Sequence, residues 1–173
     1  MEHTLVLLKP DATRRGLRGE IIKRIEAHGY AIVEMRQFNP LTEKGVSELI
    51  YYHYAEIGQL GIRVDDETLQ EVIHYMESGP IVAMIVEGPN AIAGIRKLAG
   101  ATQPSEALPG TIRGDLCPAM DYEYSHIRVP NKALPNLVHA SANATDARRE
   151  CALWFGVEPP FGSYRMAGVE YLI

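Results

Sequence analysis

Four side chains in the last third of the chain have the types and the spacing needed to carry a phosphoryl group. His139 follows Asn136 by three residues and precedes Ser141 by two, and Glu150 comes eleven residues later in a predicted helix, Ala144 to Phe155. A histidine with one free ring nitrogen can attack phosphorus and hold the group as a phosphoramidate, which divides one difficult transfer into two easier ones. A carboxylate on the other ring nitrogen fixes the tautomer and stabilises the cation that forms. The pattern predicts His139 as a nucleophile and Glu150 as the residue that orients its ring.

Two alternatives stay open on this pattern alone. His139 is one of six histidines and could simply lie in a loop. Cys151 could be a nucleophile instead, although its helix position also suits core packing. Cys117 and Cys151 form no CxxC motif and are typical of a reducing compartment, so we expect a cytoplasmic protein.

The composition fits a single globular domain over residues 1–173. The chain is 46% hydrophobic and 23% charged, which leaves room for a real core. Its formal charge of −5 argues against broad nucleic-acid binding, so an anionic ligand must meet a local cluster of Lys and Arg. No apolar run is long enough to span a bilayer, and Thr4 to Leu8 is too short for a signal peptide. Neither a nucleic acid nor a membrane is an expected partner.

Hydrophobic periodicity predicts alternating strands and helices. The predicted strands are Thr4–Leu8, Tyr30–Phe38, Ile81–Val86 and Thr111–Asp115. The predicted helices are Glu20–His28, a helix capped by Thr42 that closes at His53-Tyr54, Asp66–Glu77, Asn90–Leu98 and Ala144–Phe155. His53 reads as a half-buried core histidine, and the His139 segment reads as a loop. This order allows either a doubly wound parallel sheet or a ferredoxin-like antiparallel sheet.

The common phosphate-binding and hydrolytic motifs are missing from the sequence. There is no GxxxxGK[ST], no GxGxxG after the first strand, no HExxH and no GxSxG. A nucleotide would therefore need side chains around its phosphates, and Lys9, Arg96, Thr102 and Arg113 are the candidates. Phosphoryl transfer asks the protein mainly for positioning and positive charge, which a basic site in an acidic chain would supply.

A series of motifs resembles the nucleoside diphosphate kinase family over nearly the whole chain. In family order they are Leu8-Lys9-Pro10-Asp11, Arg15-Gly16-Leu17, Gly19-Glu20-Ile21-Ile22, His53-Tyr54, Tyr75-Met76, Ser78-Gly79-Pro80, the run Pro109 to Asp115, Asn136 to Ser141, Glu150 and Trp154-Phe155. The spacing of six residues from Arg96 to Thr102 and of eleven from Thr102 to Arg113 also fits.

The resemblance implies an α/β (α+β) fold of the ferredoxin-like βαββαβ type, with an antiparallel sheet and helices packed on it. A helical hairpin is inserted at about 42–77, and a C-terminal helix plus tail follows. The implied reaction is ping-pong transfer of a γ-phosphoryl from a nucleoside triphosphate to a nucleoside diphosphate. His139 would be phosphorylated on Nδ1 while Glu150 holds the other nitrogen. Ser141 would support Glu150 and the phosphate, and Tyr54 would pack beside His139.

The resemblance also implies how the substrate is held. Lys9 and Asn136 would reach sugar hydroxyls and phosphates, while Arg96, Thr102 and Arg113 bind phosphates. Mg²⁺ would be held mainly by the nucleotide phosphates and water, with no protein metal ligands. ATP and nucleoside diphosphates are the implied substrates, with low base selectivity. Members assemble as homo-oligomers, and we expect a hexamer ahead of a tetramer.

Some residues depart from the family pattern. Ala140 and Ala142 stand where the family usually has glycine and aspartate. The stretch from Tyr54 to Ser78 is longer than usual and lacks the Arg-Pro-Phe-Phe segment, so Arg63 is a candidate for the missing arginine and Val72 for the base slot. Pro118 to Pro135 is also longer, and it could touch the base or a neighbouring subunit. We expect the apolar tail, Phe161 to Ile173, to pack on the domain or on a neighbour.

Two rival functions follow from these departures. A nucleotide-binding regulatory or scaffold protein with the same fold but no turnover would rest on Ala140, Ala142 and the altered stretch from Tyr54 to Ser78. A histidine-dependent phosphatase or nuclease is weaker, because a second base and a metal cluster are not evident.

Overall fold

The computed structural model describes residues 1–59, 66–117 and 135–157, without the side chains of 56–59 and 66–68. The strands are β1 (Glu2–Leu8), β2 (Ala31–Phe38), β3 (Ile81–Gly88) and β4 (Val138–Ala140). The helices are α1 (Pro10–Arg14), α2 (Arg18–Ala27), α3 (Val46–Gln59), α4 (Asp66–Glu77), α5 (Ala91–Ala99), α6 (Ile112–Leu116) and α7 (Ala144–Phe155), with a 3₁₀ turn at Pro104–Glu106. The expectations for Arg63, for the segment 118–134 and for the tail 161–173 lie outside these residues.

The four strands form one antiparallel sheet in the order β2-β3-β1-β4. This arrangement confirms the ferredoxin-like alternative over the doubly wound parallel sheet. The two central strands have helices on both faces, which is why β3 is buried at all eight positions and its first six residues, Ile81 to Val86, read as a continuous apolar run.

Alternate residues of the central strands feed two separate hydrophobic clusters. Leu5 and Leu7 of β1 pack with residues of α3, α4 and α7, whereas Val6 and Leu8 pack with residues of α2 and α5 on the other face. Successive side chains of a strand point to opposite faces, so the sequence of β1 alone assigns each residue to its layer. Directly paired residues share a face, and His139 pairs with Leu7. The ring of His139 is therefore directed toward the layer built by α3 and α7.

Two predictions of secondary structure are wrong near the site. Thr111–Asp115 was predicted as a strand, but Thr111 is the N-cap of helix α6, with its hydroxyl accepting a hydrogen bond from the Gly114 N–H at 3.0 Å. A short Thr-Ile pair resembles a strand, yet a capping threonine followed by an acidic residue in the first turn starts a helix. The segment around His139 was predicted as a loop, but Val138–Ala140 forms β4 against Val6–Leu8. Three residues are too few for periodicity to reveal, so the pairing partner decides.

Two smaller predictions also change. The helix predicted to be capped by Thr42 begins at Val46, after a turn that includes Gly45 at φ +84°. That backbone conformation suits glycine and interrupts any helix that would start earlier. The loop predicted from Ala55 starts later, because α3 runs to Gln59. None of the helices in the described ranges combines the length and the apolar character that a bilayer crossing requires.

Candidate functional site

A cleft of about 570 Å³ opens between the end of β1, the N-terminal part of β4, α5 and α7. That volume lies in the usual range for small-molecule sites. Most of the residues predicted for the site line it: Lys9, Arg96, Thr102, Arg113, Asn136, His139 and Glu150. The remaining two predicted residues, Ser141 and Tyr54, are not among the lining residues and lie behind the cleft wall.

His139, Glu150 and Ser141 form one hydrogen-bonded chain. The His139 Nε2 lies 2.9 Å from Glu150 Oε2, and the Ser141 hydroxyl donates to the same oxygen at 2.7 Å. The Ser141 oxygen in turn accepts the Leu5 backbone N–H at 3.1 Å, which ties the chain to the central strand β1. The side chain of His139 keeps 17% of its surface exposed while Glu150 keeps 3%. The imidazole therefore reaches the cleft, and the carboxylate stands behind it.

The charge of Glu150 decides the tautomer of His139. Burial alone would raise the pKa of Glu150, but the facing His139 and the hydrogen bonds from His139 and Ser141 lower it to about 2. An ionised carboxylate only accepts hydrogen bonds, so the proton must be on Nε2 of His139. Nδ1 then holds the free electron pair. No described residue offers it a hydrogen-bond partner.

The turn just before His139 has an unusual backbone. Leu137 has φ +67°, and the Val138 N–H donates to the Asn136 carbonyl at 2.8 Å, which closes a three-residue turn. A non-glycine residue in this conformation is held there against its own preference, and such strain concentrates at functional sites. The Leu137 side chain is completely buried, so packing maintains the turn. The turn places Asn136 and His139 on the same cleft.

Asp11 is a site-building residue that the sequence analysis did not single out. Its carboxylate accepts the Leu137 N–H at 3.0 Å and the Tyr75 hydroxyl at 2.6 Å, and only 3% of the residue is exposed. It thereby connects α1 and α4 to the strained turn before β4. The available signal was its place in the motif Leu8-Lys9-Pro10-Asp11, one residue after a helix-starting proline.

Lys9 and Asn136 form a polar pair on the cleft wall. The Lys9 Nζ donates to Asn136 Oδ1 at 2.8 Å, and the Asn136 Nδ2 donates to the Thr102 carbonyl at 3.0 Å. Burial and the positive charge of Arg113 lower the pKa of Lys9 to about 8. A phosphate in the cleft would oppose that shift, because a nearby negative charge favours the protonated amine.

Arg113 makes more hydrogen bonds within the protein than a residue that only binds phosphate would need. Its guanidinium donates to the carbonyls of Asn136 at 3.0 Å, Gly100 at 2.6 Å and Val138 at 2.6 Å. A guanidinium has five N–H donors, so these bonds leave two for a ligand. Burial lowers the pKa of Arg113 to about 10. Arg113 joins the end of α5 to the start of β4, and its positive charge also faces the cleft.

Arg96 and Thr102 differ from Arg113 because both are exposed at the rim. Arg96 lies in the last turn of α5, and no described residue forms an ion pair with it. Its guanidinium is available to an anion entering the cleft. Arg149, which the sequence analysis did not select, also lines the cleft, with Nη2 3.8 Å from Glu150 Oε1 and 3.7 Å from Asp146 Oδ1.

His53 and Tyr54 are arranged differently from the prediction. His53 is completely buried, not half-buried, and its ring packs edge-to-face on His139 with centroids 4.6 Å apart. The ring contact of Tyr54 is with His53, at 4.7 Å, so among the described residues Tyr54 supports His139 through His53. Burial raises the pKa of Tyr54 well above its usual value, and the carboxylates of Glu150 and Asp11 act in the same direction.

A model of the nucleoside diphosphate kinase family matches residues 2–159. The chain belongs to the nucleoside diphosphate kinase family. Among curated relatives it is similar to a nucleoside diphosphate kinase of Thermus thermophilus, with 39% identity over 91% of this chain and 98% of the relative. A Streptococcus pneumoniae nucleoside diphosphate kinase is 38% identical over 90% of this chain and 100% of the relative.

Solved structures of the same family superpose on the fold. A transition-state mimic of the Borrelia burgdorferi nucleoside diphosphate kinase, with bound vanadate and ADP, matches with a TM-score of 0.77. It is 32% identical, and the match covers 96% of this chain and 93% of that one. A nucleoside diphosphate kinase family protein from Babesia bovis matches with a TM-score of 0.69 and 36% identity, over 90% of this chain and 88% of that one.

The departures from the usual nucleoside diphosphate kinase pattern do not disturb the His139 ring. Ala140 lines the cleft too, but it packs in the cluster that contains Val6, on the face of β4 opposite His139. Ala142 lines the cleft, but the start of α7 does not depend on it. Asn143 caps α7, with its Oδ1 accepting the Asp146 N–H and its Nδ2 donating to Asp146 Oδ2, both at 2.9 Å.

Val72 does not line the slot for the base, which was the position predicted for it. It is 9% exposed and packs in the cluster formed by α3, α4 and α7, so it does not line the cleft. Val72 belongs to the apolar stripe of α4, and such a stripe turns toward the core.

Proposed function

We propose that this chain is a nucleoside diphosphate kinase that works by ping-pong transfer through a phosphohistidine on Nδ1 of His139. One observation carries the assignment of the nucleophile. Glu150 engages Nε2 at 2.9 Å, and the ring is exposed on the cleft that Lys9, Arg96 and Arg113 line. The nucleophile thus has an oriented ring, a free electron pair and positive charge on the side from which a polyphosphate would approach.

The proposed reaction has two half-transfers. In the first, the Nδ1 electron pair of His139 forms a bond to the γ-phosphorus, and the bond to the bridging oxygen breaks, so the diphosphate leaves with that electron pair. In the second, a terminal oxygen of another nucleoside diphosphate attacks the phosphorus and the P–N bond breaks. The proton stays on Nε2 throughout, held by Glu150. The ionised Glu150 stabilises the positive charge that the ring acquires while it carries the phosphoryl group.

The remaining site residues bind and align the substrate in this proposal. Arg96 and Thr102 at the rim and the two spare donors of Arg113 contact the phosphates. Lys9 and Asn136 reach the phosphates and the sugar hydroxyls, and Ser141 acts through Glu150. Arg149 adds positive charge to a chain that lacks the arginine of the family's Arg-Pro-Phe-Phe segment. The Borrelia burgdorferi relative, which binds vanadate with ADP, supports a site of this kind for a phosphoryl group beside a diphosphate.

Mg²⁺ enters this proposal with the substrate, as the nucleotide complex. The two carboxylates that line the cleft are already engaged, Glu150 by His139 and Ser141, and Asp146 by Asn143. The described lining is otherwise basic or neutral. Mg²⁺ prefers oxygen ligands and keeps several waters, so phosphate oxygens and water suit it better than these side chains do. The bound ion would supply charge neutralisation on the phosphates.

Low base selectivity also fits the lining of the cleft. Asn136 is its only side-chain amide among the described residues, and Lys9 and the Thr102 carbonyl already use one acceptor and one donor of that amide. Charged groups hold phosphates whatever the base is. We expect a base to bind by stacking and by contacts to its sugar and phosphates.

Incubation with γ-labelled ATP and Mg²⁺ tests the proposed function. The expected product is an acid-labile phosphoprotein that loses its label on addition of GDP, and His139→Ala abolishes the label without unfolding the chain. A nucleotide-binding scaffold would take up no label. A phosphatase would lose its label to water with no acceptor present. Either of these two results would replace the kinase assignment.

We also propose a single domain over residues 1–173, a homo-oligomer, with a hexamer favoured over a tetramer, and a cytoplasmic location. The free thiols of Cys117 and Cys151 support a reducing compartment. Support for assembly comes from the open edge of the sheet, where β2 exposes a row of residues that includes Met35 at 55%.

A further inference from the structure

His53 occupies the space behind the nucleophile, and the mechanism above gives it no part. It lies on α3, is completely buried, and contacts three aromatic rings. Those rings are His139 at 4.6 Å, Tyr54 at 4.7 Å and Trp154 at 5.9 Å between centroids. The Trp154 indole N–H donates to His53 Nδ1 at 3.2 Å, whereas the buried Nε2 of His53 has no hydrogen-bond partner among the described residues.

A single hydrogen bond does not hold an imidazole in place. The bond from Nε2 to Glu150 fixes one atom of His139, but the ring can still tilt about that atom. His53 meets the His139 ring at an interplanar angle of 84°, and this edge-to-face contact opposes the tilt. Nucleophilic attack depends on the direction of the Nδ1 electron pair, and displacements near 1 Å can cost about 10²-fold in rate. A second constraint on the ring is therefore useful to the reaction.

The nitrogen atoms of His53 serve a different purpose from its ring. An indole N–H can only donate, so Nδ1 of His53 must be the acceptor and its proton must be on Nε2. The bond satisfies the buried Trp154, which a phenylalanine at position 53 could not do. Burial lowers the pKa of His53 to about 3, and the neighbouring His139 acts in the same direction. His53 is thus a neutral ring that does not compete with His139 for the Glu150 carboxylate.

We propose that His53 is a positioning residue for phosphoryl transfer. Its ring holds the plane of the His139 ring, while its Nδ1 accepts the hydrogen bond of the Trp154 indole N–H. The two roles belong to different atoms and can be separated by substitution. This inference rests on the proposed function, because it concerns the reactivity of the same imidazole.

Two variants of His53 separate the ring from its nitrogen. His53→Phe keeps a ring against His139 and removes the acceptor for Trp154. His53→Asn offers Trp154 an acceptor and removes the ring. Single-turnover phosphorylation by γ-labelled ATP, with the concentration of folded protein measured by circular dichroism, gives the rate for each. We expect the maximal rate of His53→Asn to be at least about tenfold lower than that of the wild type, with the ATP concentration for half-maximal rate nearly unchanged. We expect His53→Phe to recover the rate to within about threefold, with a lower midpoint of thermal unfolding.

His74→Asn is the matched control, because His74 is an exposed histidine on the neighbouring helix α4. It should react like the wild type. An unchanged rate for His53→Asn would overturn the positioning role, and an equally slow reaction of His53→Phe would overturn the assignment of that role to the ring. If one variant does not fold, the rate of the other decides by the same criterion. If the wild type itself takes up no label, the proposed function fails, which is distinct from failure at His53.

Discussion

The protonation state of each ionisable group in the proposed active site is set by one or two neighbouring residues. Glu150 stays ionised in a buried position because His139 and Ser141 both donate to one of its oxygens. That carboxylate assigns the proton of His139 to Nε2 and frees Nδ1. The neighbours of Glu150 favour its charged form, whereas the surroundings of Lys9 disfavour its charged form. Burial and the positive charge of Arg113 lower the pKa of Lys9. The chemistry depends on these individual contacts more than on the composition of the cleft.

Glu150→Ala should still become phosphorylated, but by about 10²-fold more slowly, because a positioned group of this kind contributes roughly that much. The single-turnover rate with labelled ATP measures the effect. Glu26→Ala, an exposed glutamate of α2, provides a control that should leave the rate unchanged. Labelling of Glu150→Ala at the full rate would remove Glu150 from its role as the orienting residue.

Lys9 predicts how nucleotide affinity depends on pH. Its amine binds a phosphate strongly only when protonated, and its pKa in the free protein is lowered to about 8. ADP affinity should therefore be close to full near pH 7, fall by about half near pH 8 and be roughly tenfold lower by pH 9. Lys9→Arg should bind with little change over the same range, because arginine stays charged. Calorimetric titrations from pH 6.5 to 9.5 measure both, and parallel profiles would contradict the assignment.

At the scale of secondary-structure elements, short and irregular segments position the residues of the site. The strained turn at Leu137 gives β4 its register against β1, and it is held by Asp11 from the start of α1. Arg113 then ties the same turn to the end of α5 through three carbonyls. These connections hold β4 in place. Because β4 is fixed, the same cleft is faced by the end of β1, by α5 and by α7.

Asp11→Ala should release the turn before His139. Loss of its two buried hydrogen bonds is expected to lower the free energy of unfolding by about 2–4 kcal/mol and also to slow labelling, because the register of β4 loosens. Tyr75→Phe removes only the bond from the tyrosine hydroxyl, so it should cost about 1 kcal/mol and keep the labelling rate. Urea unfolding and single-turnover labelling separate the two effects. If both variants label equally fast, Asp11 serves stability alone.

At the scale of the whole molecule, the sheet is protected on its faces and open at its β2 edge. Helices cover both faces, whereas β2 exposes four consecutive residues, Glu34 to Gln37. An exposed edge strand with an apolar side chain is a natural place for a second copy to pair. We therefore expect the subunits of the proposed oligomer to meet at this edge.

Met35→Glu should reduce the mass of the assembly in solution, because it adds a charge at the exposed edge where subunits are expected to meet. Light scattering after size-exclusion chromatography measures the mass of the wild type and the variant. Thr145→Glu, which adds the same charge at an exposed position of helix α7, should leave the mass unchanged. A wild-type mass equal to one chain would contradict the proposed oligomer, and an unchanged Met35→Glu mass would move the interface elsewhere.

The sequence by itself determined the family, the chemistry and most of the polar side chains that line the cleft. His139, Glu150, Lys9 and the phosphate-binding candidates could be selected because their side chains have distinctive chemistry and characteristic spacing. The long helices and the three long strands were also predictable, because apolar residues repeat with the period of each element over many residues.

Only the tertiary structure decided how those residues are held. Val138–Ala140 is too short to show a period, and it becomes a strand because β1 offers a partner. Asp11, His53 and Arg113 act through contacts with residues far away in the chain, and no local pattern encodes such contacts. The buried histidine behind the nucleophile looked like ordinary core in the sequence, since its helix stripe is apolar. Its importance depends on which ring the fold places against it.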